Sequence, residues 1–184
     1  MFIQTETTPN PATLKFLPGQ AVLAGDTRDF RTLDDAAPSP LAQKLFAVEG
    51  VTGVFLADDF ISVTKEGGEW QHLKPAILGT IMDHFLSGDP VLTVEAGEAS
   101  SDEFFEASDE ETVATIRELI ETRVRPAVAQ DGGDIIFKGF KDGVVFLHMQ
   151  GACAGCPSST QTLKGGIENL LRHFLPDVVE VRAV

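Results

Sequence analysis

The chain holds two cysteines in 184 residues, one tryptophan and no tyrosine. Two cysteines cannot form a disulfide framework, so buried apolar cores must carry the fold. Basic residues are also scarce. Lys and Arg number 14 against 28 Asp and Glu, for a formal net charge of −14. With no basic run anywhere, no nucleic-acid partner is expected, because a phosphate backbone requires clustered Lys and Arg. No apolar stretch approaches the roughly 20 residues that span a bilayer, so no membrane partner is expected either. The opening Met1-Phe2-Ile3-Gln4-Thr5-Glu6 lacks a basic segment followed by an apolar one, which leads to the expectation of a reducing, cytoplasmic setting. Gly132-Gly133 and Gly165-Gly166 lack the lysine and spacing of a phosphate loop. No residues form a Ser–His–Asp pattern, and the expectation is a protein that is not an enzyme.

What is present reads as two small folded domains. Hydrophobic residues make up 43% of the chain, as in ordinary globular proteins. The division falls in residues 97–108, an acidic linker between domains at 1–96 and 109–184. From Asp102 to Glu111 there are six acids and no base, a self-repelling composition interrupted by Phe104-Phe105. That aromatic pair is expected to dock on the chain's own surface.

The first domain reads as ββαββα. Phe2 to Thr8 and Thr13 to Leu17 are strand-like, separated by the turn Pro9-Asn10-Pro11. Ser39-Pro40 opens a helix as N-cap and first helical residue, with Leu41, Leu45 and Val48 on its apolar stripe and Gly50 at its end. Val51 to Leu56 and Phe60 to Thr64 flank Asp58-Asp59 as a hairpin. The next helix has Pro75 in its first turn, Ile77, Ile81 and Phe85 on one face, and Gly88 past its end.

The second domain opens with Ser108-x-x-Glu111, a capping box, before Val113, Ile116, Ile120 and Val124 at helical period. Pro126 is expected to kink or end that helix. Asp131-Gly132-Gly133-Asp134 is a sharp turn, with the two carboxylates read as surface charge. Ile135 to Phe140 and Val144 to Met149 form a hairpin around Asp142-Gly143. Thr162 to Phe174 is a helix, with Leu163, Ile167, Leu170 and Leu171 facing inward, and Val178 to Val184 is a last strand. The fold class expected is α+β: two small domains, each a short sheet with helices packed on one face.

Both cysteines lie in Gly151-Ala152-Cys153-Ala154-Gly155-Cys156-Pro157, between a strand end and a helix start. Free N–H groups and the positive end of the helix dipole there favour thiolate. The glycines admit close backbone approach to sulfur, and Pro157 stiffens the exit. Three chemistries fit a CxxC pair in this place. One is a metal or iron–sulfur carrier, which needs about four thiolates and therefore two chains. Another is a thioredoxin-like dithiol oxidoreductase, although Trp70 is remote and the loop follows a hairpin. The third is a zinc clip completed by His148 or a second chain. His72, His84 and His173 stand at no ligand-like spacing from the cysteines.

The motifs resemble a known family. Asp131-Gly-Gly-Asp134, the hairpin, Gly151-Ala-Cys-Ala-Gly-Cys-Pro-Ser-Ser-Thr160 and Thr162-Leu-Lys-Gly-Gly-Ile-Glu168 closely resemble the NifU C-terminal-type domain. Thr7-Thr8-Pro9-Asn10-Pro11 with Leu14-Lys15-Phe16 looks like the N-terminal domain of Nfu proteins. The resemblance implies an iron–sulfur cluster scaffold or carrier. Its ligand positions fall on Cys153 and Cys156, which would hold a [4Fe-4S] cluster, or a [2Fe-2S] cluster, bridged across a homodimer. The cluster would pass to apo iron–sulfur recipient proteins. Asp131 to Asp134 would shape the site. The additional domains of full-length NifU are missing, so the chain resembles the shorter Nfu type. Mitochondrial relatives carry a transit peptide, and its absence leads to the expectation of a bacterial cytoplasm. The cysteine-free first domain is expected to recognise recipients or the upstream assembly machinery.

Overall fold

The computed structural model describes residues 2–93, 103–154 and 157–184, with the backbone alone described at 157–159. Residues 97–102 of the expected linker, as well as Gly155 and Cys156, lie outside the described residues. The chain forms two compact α+β units, Met1–Gly97 and Glu98–Val184.

In the first unit, β1 (Gln4–Thr7), β2 (Thr13–Leu17), β3 (Arg28–Phe30), β4 (Val51–Leu56) and β5 (Ile61–Lys65) form one antiparallel sheet in the order β1-β2-β5-β4-β3. Helices α1 (Pro40–Phe46) and α2 (Trp70–Ser87) pack on it. Their inward residues Leu41, Leu45, Ile77 and Ile81 are fully buried with Phe16, Leu56, Ile61 and Val63. Ser39 caps α1 as expected, its hydroxyl accepting from the Ala42 N–H at 3.1 Å. Two details differ from the sequence reading. Strand β3 was not anticipated, because three residues are too few to show alternation. Helix α2 begins at Trp70, so Pro75 lies beyond the first turn, and Gly88 ends the helix in the left-handed region.

In the second unit, β6 (Gly133–Lys141), β7 (Val144–Gly151) and β8 (Glu180–Ala183) form a sheet in that order, with β8 parallel to β7. The β6–β7 turn is tight because Asp142 and Gly143 both take positive φ, +52° and +78°. Helices α3 (Glu110–Leu119), α4 (Arg125–Gln130) and α5 (Pro157–Phe174) supply Val113, Ile116, Val128, Ile167 and Leu171 to the core. The capping box is not formed. Ser108 lies within a 3₁₀ turn, Ala107–Asp109, and the α3 N-cap is Asp109, which makes no side-chain capping bond.

Pro126 does not end the helical run, which continues to Gln130. A π turn, Ile120–Val124, precedes it, and the Arg125 N–H donates to the carbonyl of Ile120, five residues back. The wider turn takes up the missing proline N–H and the clash its ring would cause in α geometry. Ahead of α3, Phe104 docks on its own unit, as expected. Its N–H donates to the Lys138 carbonyl at 3.1 Å, and its carbonyl accepts from the Phe140 N–H at 2.9 Å. Its ring fills the space a side chain at Gly139 would need and lies 5.1 Å from the Phe146 ring.

Candidate functional site

The cysteine loop joins the end of β7 to the start of α5, where the sequence placed it. Hydrogen bonds fix its first half. The Ala152 N–H donates to the Gly132 carbonyl at 3.2 Å, and the Ala154 N–H donates to the Gly151 carbonyl at 3.1 Å. From the first turns of α5, the Thr160 hydroxyl donates to the Cys153 carbonyl at 3.0 Å. Cys153 is thus held between the Asp131–Asp134 turn and the helix.

That turn has two distinct glycine requirements. Gly132 sits at φ +80°, which suits glycine. Gly133 has an ordinary φ, and its requirement is space. A Cβ there would lie 2.6 Å from the Cys153 sulfur and 2.7 Å from the Gln150 carbonyl oxygen. The sulfur therefore occupies a gap left open in the β6 backbone, opposite Gly151 in the strand register. Here the turn shapes the cysteine site through specific atoms.

Cys153 is buried, at 5% exposure. Burial pushes its thiol pKa up to about 12, with the nearby Asp131 and Asp134 carboxylates adding to the shift. Without a bound metal the thiol is therefore favoured over the thiolate expected at this helix start, and coordination to a metal would remove the proton.

Asp134 is also corrected. It is not a surface charge: only 4% of it is exposed, and Arg125 grips it in a bidentate pair. The Arg125 Nε and one terminal nitrogen donate to the two Asp134 oxygens, each at 2.8 Å. The other terminal nitrogen donates to Glu121 at 2.7 Å, and the Ile135 N–H donates to Asp134 Oδ1 at 2.8 Å. Sequence reading missed Arg125, since no local pattern links it to a residue nine positions later.

Among the described residues, no three His, Cys, Asp or Glu side chains come together as a metal site. His148 lies on β7 with its Nδ1 2.9 Å from the Val184 carbonyl oxygen, so nothing here favours the zinc clip. His84 and His72 lie in the first unit, and His173 near the C-terminal end of α5. Cys156 lies outside the described residues, so its distance from Cys153 forms no part of the geometry. The two cysteines are soft donors of the kind an iron–sulfur group takes, but fall short of the roughly four it uses.

Residues 3–88 match the family described as scaffold protein Nfu/NifU N terminal, and residues 116–182 match the NifU-like domain. The whole chain is 54% identical, over 188 residues, to the human NFU1 iron-sulfur cluster scaffold homolog, mitochondrial, and spans 72% of that protein. The whole chain is also 53% identical to the Drosophila sechellia protein of the same name, of which it spans 65%. A NifU-like protein from Saccharomyces cerevisiae, solved by NMR, aligns with 52% of this chain and 87% of its own at 30% identity and a TM-score of 0.47. The relatives are named as mitochondrial, which overturns the expectation of a bacterial cytoplasm.

Proposed function

The chain belongs to the Nfu/NifU family of iron–sulfur cluster scaffold proteins, and from that premise we propose that it carries a cluster held by Cys153 and Cys156. The cluster is cargo: a [4Fe-4S] unit shared by two chains, each giving two thiolates, with a [2Fe-2S] form as the smaller variant. The observation that carries this reading is the cysteine loop itself. It pins Cys153 between a strand end and a helix start, in a chain with no further cysteine to close a cage. A site completed by a second chain keeps one side open to exchange, which suits delivery to apo-proteins.

In this reading the residues 109–184 bind the cluster, and 97–108 link them to the domain at 1–96. The first domain recognises recipient apo-proteins or the assembly machinery upstream, since it has no thiolate to offer. The protein performs no catalysis of its own. The cysteine loop follows a β-hairpin instead of the βαβ start of thioredoxin-like proteins, which counts against a dithiol reductant. The compartment that accords with the relatives' names is the mitochondrion.

Loading the protein anaerobically with iron and sulfide tests the proposal. Cys153→Ser and Cys156→Ser are expected to fold normally yet retain no stable cluster after desalting. A serine variant that kept a full complement of iron and sulfide would refute the ligand assignment.

A further inference from the structure

We propose that Arg125 is a positioning residue for cluster binding. It is aimed by the π turn at Asp134 and thereby holds open the Gly133 gap in which the Cys153 sulfur sits. The inference rests on the proposed role of Cys153 as a ligand.

The chain of contacts is continuous. The π turn Ile120–Val124 inserts one residue relative to α geometry, and the Arg125 N–H bonds to the Ile120 carbonyl. Each residue of an α-helix turns about 100°, so the insertion changes the direction of every later side chain by that angle. Arg125 is the first residue after it. From there its guanidinium reaches Asp134 with two bonds of 2.8 Å, while Glu121 on the π turn holds the third nitrogen. A planar fork gripping both oxygens fixes orientation as well as distance. Asp134 stands next to Gly133, and its Oδ1 also accepts the Ile135 N–H. Gly132, on the other side of the gap, receives the Ala152 N–H from the cysteine loop. The pair therefore anchors one wall of the space that the Cys153 sulfur fills.

Pro126 gives this arrangement a reason in the sequence. A proline directly after Arg125 disfavours an uninterrupted α-helix at this point, and the π turn is the local solution. π turns inside helices are frequent at functional sites.

The test uses the full chain with Arg125→Gln, Arg125→Lys and Asp134→Asn, and with Glu118→Gln as a control on the exposed side of α3. In a Cys156→Ser background without cluster, Cys153 is the only thiol, and its alkylation rate reads whether its sulfur still sits in the gap. Arg125→Gln and Asp134→Asn are expected to alkylate at least about tenfold faster than the parent well below their melting temperatures. Arg125→Lys, which keeps the charge but loses the fork, should fall between, and Glu118→Gln should match the parent. With both cysteines present and cluster loaded, the same order is expected in the rate of iron loss to a chelator.

Parent-like Cys153 protection in folded Arg125→Gln and Asp134→Asn would overturn the proposal. So would loss of fold in both, which would assign the pair to global stability. Failure of the parent to take up cluster would instead count against the functional reading, and the alkylation order would still decide the role of Arg125.

Discussion

Gly133→Ala is the substitution that most sharply tests the described geometry. Its Cβ would meet the Cys153 sulfur at 2.6 Å, the Gln150 carbonyl oxygen at 2.7 Å and the Cys153 nitrogen at 3.1 Å. Ordinary contacts between heavy atoms lie near 3.5–4.0 Å. Rotating the cysteine side chain relieves only one of these clashes, because the other two atoms are backbone. Gly133 has no positive φ, so alanine adds no conformational strain and the effect is steric. Overpacking of this kind costs about 1–3 kcal/mol. Taking about 2 kcal/mol, and roughly 4–8 °C per kcal/mol for a unit of this size, the second unit should melt about 8–16 °C lower. Calorimetry of the full chain would read that shift. Trp70, the only tryptophan, lies in the first unit and identifies that unit's transition by fluorescence. Cys153 should become reactive to alkylation at the same time. Unchanged melting together with a protected Cys153 would refute the claim that the sulfur occupies the Gly133 gap.

Other expectations follow from the same contacts. Gly165 lies in α5 with nothing within 4 Å of an added Cβ, so Gly165→Ala should stabilise the unit by about 1 kcal/mol, read as a higher urea midpoint. Phe104 is 45% exposed, so Phe104→Ala should cost about 1 kcal/mol, roughly half the worth of a fully buried side chain, and speed hydrogen exchange at the Phe140 amide. His84 is fully buried beside Lys44, and burial first, then the Lys44 charge, lower its pKa, with Asp89 opposing. The unfolded chain binds that proton from about pH 6.5 downward while the fold resists it, so stability is present above that pH and is lost as pH falls. The melting temperature reported by Trp70 should therefore drop between pH 7.5 and pH 5.5. The slope should flatten in His84→Gln, and an unchanged slope would contradict the assignment.

Much of this architecture was legible because local chemistry and global fold agree. Ser39-Pro40, Asp142-Gly143 and Gly88 sit at element boundaries, where only particular residues satisfy the backbone. The core stripes of α1, α3 and α5 followed from helical period. What escaped the reading depends on contacts between distant residues. Strand β3 exists because β4 pairs with it, and its own three residues carry no pattern. The Ser108 capping box failed where the chain entering α3 makes a 3₁₀ turn after Phe104 has docked on β6. Pro126 was a correct sign of irregularity, but a π turn resolved it without ending the helical run.

The site divided along the same line. CxxC with its glycines is a local motif, and its position at a strand–helix junction was readable. The protonation preference of Cys153 was not, because it depends on burial and on carboxylates brought in by the Asp131–Asp134 turn. Asp134 likewise reads as turn chemistry until Arg125 is seen to reach it. The compartment was misread for a different reason, since the opening residues carry too little information to assign one.

Native mass spectrometry after anaerobic loading tests the central claim most directly. The account predicts a dimer that carries four irons and four sulfides, or two and two in the smaller form, and that loses them in Cys153→Ser and Cys156→Ser. A monomer that takes up no iron and only cycles between dithiol and disulfide would contradict it.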